Sequence, residues 1–534
     1  MAFKIVQELY CSYDPQTGDE IATFPLTQPS DISTIVEKAR SAFADWGDLS
    51  LKTRIEIVKK AYRQFYLAQD EVAELISRET GKPIAEAYSS EILPVLDCFK
   101  YYLKHIHRFL KNKSVQFTNP IFKLRQGYVR QEPLGVVAII SPWNFPFLLT
   151  MQHLVPAILT GNVVIHKPSE HTSLVGLKIR EIFDRSYLPK NVLVVVTGLA
   201  DVGSALVESN LDKIFFTGST DVGKKIYRAA ANNFVPVNME LGGSDPMIVL
   251  KDADLDRAVN AAVWGAFNNC GQACVSVERL YIDESILDEF VARMLEKMKN
   301  LRFKTPENPD AEISCLAIES QFLKIKRMVE DAVTKGAVVL SGGKNRQELG
   351  GWFYEPTVLT NIDSSMTVMK YEIFGPLVLV IPFISEGEAV FLANDSQYGL
   401  SASVWTEDRK RGEALAKKIE AGSVLINDIH IHVAQMEAPY TGFKNSGFGV
   451  GHGYREIMEL VKPKYINTER PFIKIFFKIV FRSLIKNDLW WFKYSDQVKE
   501  ELKTFIAFLH HSSYLKRILM LPAVVRALFR KNYL

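Results

Sequence analysis

The chain has 534 residues and a net charge of +3, too long for one hydrophobic core, so two or three domains are expected. A composition of 47% hydrophobic and 23% charged residues is that of a globular protein and excludes fibrous or low-complexity classes. Five scattered cysteines (Cys11, Cys98, Cys270, Cys274, Cys315) argue against a disulfide framework and for a reducing compartment, and MAFKIVQELYCSYD lacks the basic region and apolar run of a secretory signal.

Residues 30 to 112 read as helical. SDISTIVEKARSAFADW opens on Ser30 and Asp31 as cap candidates, and Lys52 to Glu79 reads as one further amphipathic helix. From Pro133 the texture changes. Short apolar runs (GVVAIIS, NVVIHK, NVLVVVTG, KIFFTG, PMIVL) alternate with helical segments, which predicts a buried parallel sheet in an α/β domain. After Cys274 the strands resume as ERLYID, AVVLSGG, LVLVIPF, SASVWT and SVLIND. Two α/β domains are expected, with a turn or helix start carrying the cysteine pair near their boundary. There is no internal repeat and no low-complexity segment.

Several turns between these elements carry chemistry-bearing residues. Phe216-Thr-Gly-Ser-Thr-Asp-Val-Gly223 follows a strand and opens a helix, and such a helix N-terminus offers free N–H groups to a phosphate. It is not GxGxxG, and an ordinary βα turn explains it equally well. Glu240-Leu-Gly-Gly243 places a carboxylate before a strand, as a general base or a solvated strand end. Asn144, in Pro142-Trp-Asn-Phe-Pro146, either aims its amide at a developing oxyanion or makes a turn. Lys167 and Glu170, at the end of NVVIHKPSE, stand where a ribose could be clasped. In FNNCGQACVS, Cys270 and Cys274 are each open to three readings: nucleophile, metal ligand or core residue. Neither has a His or a further Cys within twenty residues, so zinc is not expected. The Asp252–Asp254–Asp256 spacing fails as a calcium loop, because Arg257 and Val263 stand where Gly and Glu are needed. No metal is expected. With no basic groove interleaved with aromatics in the body, nucleic acid is not expected either.

PWNFP, HKPSE, FTGST, ELGG, GQAC, EIFGP (372–376) and GFKNSGFG (442–449) occur in this order, and with them the chain resembles the aldehyde dehydrogenase superfamily over about residues 15 to 468. The resemblance implies NAD-dependent oxidation of an aldehyde to the carboxylic acid through a cysteine thiohemiacetal and a thioester. Cys274 would be the nucleophile, Asn144 an oxyanion donor and Glu240 the base for hydrolysis. Trp143, Gly218, Ser219 and Gly223 would lie along the pyrophosphate, Lys167 and Glu170 at the adenosine ribose, and Glu372 and Phe374 at the nicotinamide side. Glu170 favours NAD and leaves NADP possible.

The implied fold is α/β: a Rossmann-like cofactor domain (1–112 and 131–240), an α/β catalytic domain (241–440) and a small β oligomerisation flap (113–130 and 453–468). A homodimer or homotetramer is expected. The chain departs from the family where PFGG becomes Ala438-Pro-Tyr-Thr-Gly442 and where Glu312-Ile-Ser-Cys-Leu316 replaces a common Gly-Pro. Both bear on pocket shape.

The family ends near Tyr465. Residues 471–534 hold twelve Lys/Arg against four Asp/Glu, so this tail carries +8 and the body −5. Lys474, Lys478, Arg482 and Lys486 form a stripe on an otherwise apolar helix followed by Trp490 and Trp491, and the segment reads as a helical extension interrupted at Pro522. No run reaches 18 uncharged residues, so an interfacial helix rather than a span is expected, or an apolar face packed on protein. The expected enzyme is therefore cytoplasmic and peripheral on the cytoplasmic face of a membrane, with a lipophilic aldehyde substrate that is medium or long chain, aromatic or isoprenoid. Two alternatives stand beside it: a semialdehyde dehydrogenase of central metabolism, and a catalytically silent structural member, which would tend to lose the thiol or the base.

Overall fold

The computed structural model describes residues 9–119, 122–305, 308–470 and 496–528. The chain divides into two compact units, Met1–Leu110 with Glu132–Lys462, and Lys111–Gln131 with Pro463–Leu534.

The first unit is built on two sheets. One runs in the order Gly447–Phe448, Val237–Glu240, Lys213–Thr217, Val136–Ile140, Val163–Lys167, Leu193–Val195, and all but the two-residue edge strand are parallel. Its central strands are buried throughout except at Ile140, which is why they read as continuous apolar runs rather than alternating ones. The register pairs Ile140 with Lys167, Ile140 with Phe216 and Thr217 with Glu240. PWNFP, HKPSE, TGST and ELGG therefore leave the sheet at one edge, the carboxyl ends of its strands.

The second sheet has the order Val338–Ser341, Thr357–Thr360, Leu377–Phe383, Val277–Asp283, Asp245–Val249, Ser401–Trp405, Ser423–Ile426. It is parallel except for its first pair. Here the chemistry-bearing turns precede the strands: ELGG before Asp245, GQAC before Val277 and EIFGP before Leu377. Only four residues separate the end of Val237–Glu240 from the start of Asp245–Val249. That link brings the carboxyl edge of one sheet against the amino edge of the other.

The structure also departs from the sequence reading. The helix expected from Lys52 to Glu79 is two, Leu51–Leu67 and Gln69–Thr80, because the chain leaves helical geometry at Ala68 and restarts with Asp70 and Glu71 in the new first turn. Glu79 is buried in the second of them and accepts the backbone N–H groups of Leu174 and Val175. Thr357–Thr360 is a strand that the periodicity did not single out, being only four residues long. The helix Leu148–Thr160 is buried on every face and contains Pro156.

In the second unit, Val461–Glu469, Arg125–Pro133 and Lys113–Val115 form a three-stranded sheet. Residues 453–459 were expected with it, but Gly453–Glu459 is a helix with Glu456 and Ile457 buried in the first unit. Helices Asp496–His510 and Tyr514–Leu528 pack on each other, and the second runs through Pro522 instead of ending there. A proline removes one helical donor, and the hydrogen bonds on either side keep the rest of the helix. The basic stripe from Lys474 to Lys486 and Trp490–Trp491 lie outside the described residues. No helix among the described residues is long and apolar enough to cross a membrane.

Candidate active site

Cys274 stands on a turn that no helix or strand would form. The helix Leu255–Phe267 ends at Phe267, and Asn269 (φ 50°), Cys270 (φ 56°) and Gly271 (φ 69°) then take the left-handed conformation in succession. Two consecutive non-glycine residues there are strained, and the surroundings hold them in place. Glu86 accepts the Asn269 backbone N–H and the Asn268 side chain. Gln272 donates to the Asn269 carbonyl at 3.0 Å and accepts from Ala317 N–H at 2.9 Å. Gly271 admits no side chain, since a Cβ would lie 2.1 Å from the Gly375 carbonyl oxygen. This is how GQAC and EIFGP come together.

The segment is not α-helical, so the two thiols are not one helical turn apart. Cys270 packs in the core of the second sheet, whereas Cys274 lies against Ala273, Val275, Leu400 and Tyr440.

Asn144 is buried beside this turn. Its side-chain amide donates to the Gln272 carbonyl at 3.0 Å, and its Oδ1 has no partner among the described residues. Its backbone carbonyl accepts from Lys82 Nζ at 2.8 Å and from Asn269 Nδ2 at 3.1 Å. Lys82 and Glu91 are a fully buried ion pair at 2.6 Å, and Glu91 also accepts the Phe147 N–H. A buried pair of this kind positions the loop carrying Asn144.

Glu240 ends its strand 6% exposed. Gln152 Nε2 donates to its Oε2 at 3.1 Å and Thr217 Oγ1 at 3.4 Å. His153 Nε2 stands 3.3 Å from its Oε1, while His153 Nδ1 stands 2.6 Å from Glu456. Glu456 also accepts from the Tyr102 hydroxyl at 2.5 Å and the His452 N–H at 2.8 Å. Burial would push the His153 imidazole down, but the charge of Glu240 and hydrogen bonds to both carboxylates lift it to about 10. Burial would likewise push Glu240 up, but the His153 imidazolium outweighs it and holds this carboxyl below its ordinary range. Glu240 is therefore ionised at neutral pH. The Cys274 thiol is pushed up to about 12 by burial, opposed by a hydrogen bond with Tyr440 and raised further by Glu372, Asp245 and Glu240.

Gln152, His153, Glu456, Lys82 and Tyr440 were not singled out from the sequence. Gln152 and His153 sit in an apolar helix, and Glu456 lies 303 residues from His153. Only the departure of APYTG from PFGG marked Tyr440 in advance.

The remaining predicted residues line the facing edges. Trp143 meets Phe374 edge to face at 5.5 Å, with Phe374 itself left-handed (φ 58°). Glu372 Oε1 accepts the Gly243 N–H at 3.1 Å, and a Cβ on Gly242 would lie 2.4 Å from its Oε2. Burial lifts Glu372 to about 8. A Cβ on Gly218 would stand 2.6 Å from the Phe216 ring. Ser219 caps the helix Thr220–Asn232, accepting the Val222 N–H, and Gly223 packs on Leu241. Lys167 is buried, and its ammonium donates to the Pro168 carbonyl at 3.1 Å. A buried ammonium, a half-buried Glu170 nearby and an open helix N-terminus fit a nucleotide bearing ribose hydroxyls and phosphate. Among the described residues no group of acids, histidines and cysteines could hold a metal ion.

A family model described as the aldehyde dehydrogenase family matches residues 5–466. The chain belongs to the aldehyde dehydrogenase family. It is an oxidoreductase of that family, with the α/β fold of its solved members. The chain is 37% identical over 496 residues to 4,4'-diapolycopene aldehyde oxidase of Methylomonas sp, covering 93% of this chain and 90% of that one. It is 35% identical to the peroxisomal aminoaldehyde dehydrogenase 1 of Pisum sativum, over 86% of this chain and 91% of the relative. The NAD+ complex of an aldehyde dehydrogenase from Bacillus cereus superposes with a TM-score of 0.83 at 33% identity, covering 86% of this chain and 93% of that chain.

Proposed function

We propose that this aldehyde dehydrogenase oxidises a lipophilic aldehyde to the free acid, with Cys274 as nucleophile, Asn144 as oxyanion donor and Glu240 as the base of hydrolysis. The observation that carries the reading is the buried Glu240, which contacts through Gln152, His452 and Tyr440 join to the Cys274 thiol. The Cys274 thiolate attacks the carbonyl carbon, a C–S bond forms and the π pair moves to oxygen. The Asn144 side-chain amide and the Cys274 backbone N–H steady that oxyanion. When bound, NAD supplies the two-electron acceptor that turns the adduct into a thioester. Glu240 draws a proton from water as the water oxygen attacks the thioester, and the thiolate leaves.

Lys167 and Glu170 would hold the adenosine ribose of bound NAD. Trp143, Gly218, Ser219 and Gly223 would hold the pyrophosphate, and Glu372 and Phe374 would hold the nicotinamide end. A carboxylate at Glu170 disfavours a 2′-phosphate, so NAD is preferred over NADP.

The lipophilic substrate rests on two supports. A relative alike over 93% of this chain is named for 4,4'-diapolycopene aldehyde. The terminal helices expose Leu502, Ile506, Leu515 and Leu519, and the tail is basic. In this reading the tail rests peripherally on the cytoplasmic face of an anionic membrane, where such aldehydes dissolve. The three-stranded sheet of Lys113–Val115, Arg125–Pro133 and Val461–Glu469 serves a homodimer or homotetramer. The second reading, a soluble semialdehyde or aminoaldehyde substrate, is favoured by the likeness to the aminoaldehyde dehydrogenase.

A panel of aldehydes of graded chain length separates them, run on the full chain and on one ending at Arg470, with anionic liposomes in a sedimentation assay. Rising kcat/KM with chain length and liposome binding lost on truncation are expected. Equal activity on short polar aldehydes with no liposome binding overturns the lipophilic reading.

A further inference from the structure

We propose that Tyr440 is a catalytic residue whose phenolic O–H donates to the Cys274 sulfur and favours the thiolate. The inference rests on the assignment of Cys274 as nucleophile and adds to it a group that the family pattern does not supply. Where the family reads Phe in PFGG, this chain reads Tyr440 in APYTG. The hydroxyl that distinguishes the two residues is the atom at Cys274: Tyr440 Oη lies 3.6 Å from Sγ. A thiolate only accepts, so in the reactive form the phenol is the donor.

The hydroxyl is held there from three directions. Tyr440 exchanges two backbone hydrogen bonds with Gly451, at 2.9 and 2.8 Å. Its ring lies between two imidazoles, that of His432 at 5.7 Å and 26° and that of His452 at 5.4 Å and 31°. His452 is in turn 3.2 Å from the Gln152 amide oxygen, and Gln152 donates to Glu240. Burial holds both imidazoles low, His432 at about 3, so the stack is neutral at working pH.

The surroundings make a donor at this point necessary. Cys274 is enclosed, and its burial first of all, then the neighbouring acidic groups Glu372, Asp245 and Glu240, oppose a thiolate. The Tyr440 hydrogen bond is the strongest influence in the other direction. The phenol faces Cys274, Glu240 and Asp245, and burial with those charges holds its own ionisation far above the ordinary tyrosine value. It therefore stays a donor at any working pH. No bond changes at Tyr440: the O–H remains on the ring, and its hydrogen bond weakens once sulfur is bonded to carbon and has lost its charge.

The test is the pH dependence of iodoacetamide alkylation at Cys274, mapped by peptide mass and measured on the full chain without aldehyde or cofactor. Phe keeps the ring and the stack, so Tyr440→Phe removes the hydroxyl alone. The alkylation profile of Y440F should move up by about one pH unit, with alkylation about tenfold slower below the midpoint, and kcat/KM for aldehyde should fall with it. Tyr440→Leu, which also removes the ring, should move the profile at least as far. A Y440F profile superimposable on wild type overturns the proposal. Cys274→Ala separates the two layers: if it keeps turnover, the nucleophile is misassigned. If it is inactive while Y440F titrates as wild type, only the role of Tyr440 falls.

Discussion

Glu240 and Cys274 are joined through one chain of contacts but are held in place by different means. Glu240 ends a regular, fully buried parallel strand, and its environment is chemical: an amide, a hydroxyl and an imidazolium that a second buried carboxylate keeps charged. Cys274 follows a turn of left-handed residues, and its environment is mainly steric, with one hydrogen bond to its sulfur. Electrostatics sets the protonation state of Glu240, the proposed base, while backbone strain and close approach set the place of Cys274, the proposed nucleophile. Each arrangement suits its task, since a base must be ionised on arrival and a nucleophile must be in reach.

The sharpest way to break this comparison is to remove each group in turn. Cys274→Ala should abolish NADH formation altogether, with no burst. Glu240→Gln should leave a burst of about one equivalent and slow the steady state by roughly 10²- to 10⁴-fold, because only hydrolysis needs the base. Stopped-flow NADH absorbance checks both, and a missing burst in Glu240→Gln would place the carboxylate in the first step instead.

A smaller effect is expected at His153. Its folded value of about 10 lies above the ordinary 6.5, so it contributes stability that is full below about 6.5 and lost as pH rises through 10. His153→Gln should be less stable by about 3 kcal/mol at pH 6, and the gap to wild type should narrow by pH 9.5 in urea titrations. The same variant frees Glu240 from the imidazolium that holds its carboxyl low, so the acid limb of hydrolysis should move to higher pH. A gap independent of pH would mean that His153 is neutral.

The smallest change probes the cofactor edge. Ser219→Ala removes the cap of the Thr220–Asn232 helix and should cost about 1 kcal/mol of stability, with a higher KM for NAD and little change in kcat.

The reaction centre was partly legible from residue types in order. Seven short motifs in the family's order singled out Cys274, Glu240 and Asn144 as candidates through the resemblance, where each residue read alone left a structural role equally open. The parallel strands were legible on their own, being apolar throughout. The Lys52–Glu79 helix was misread because nothing in its apolar spacing marks the break at Ala68, and the apparent stop at Pro522 was overridden by the helix around it.

By itself, then, the sequence determined the family and the α/β fold, and it offered a thiol, a carboxylate and an amide on turns as candidates for the chemistry. Tertiary structure alone decided their condition. It put His153 between Glu240 and Glu456 across 303 residues, bent Asn269 to Gly271 left-handed under the EIFGP loop, and set the Tyr440 hydroxyl against Cys274. The physical reason is that charge state and strain belong to surroundings. A histidine in an apolar helix is silent in the sequence, and two distant carboxylates brought against it in the fold make it an imidazolium.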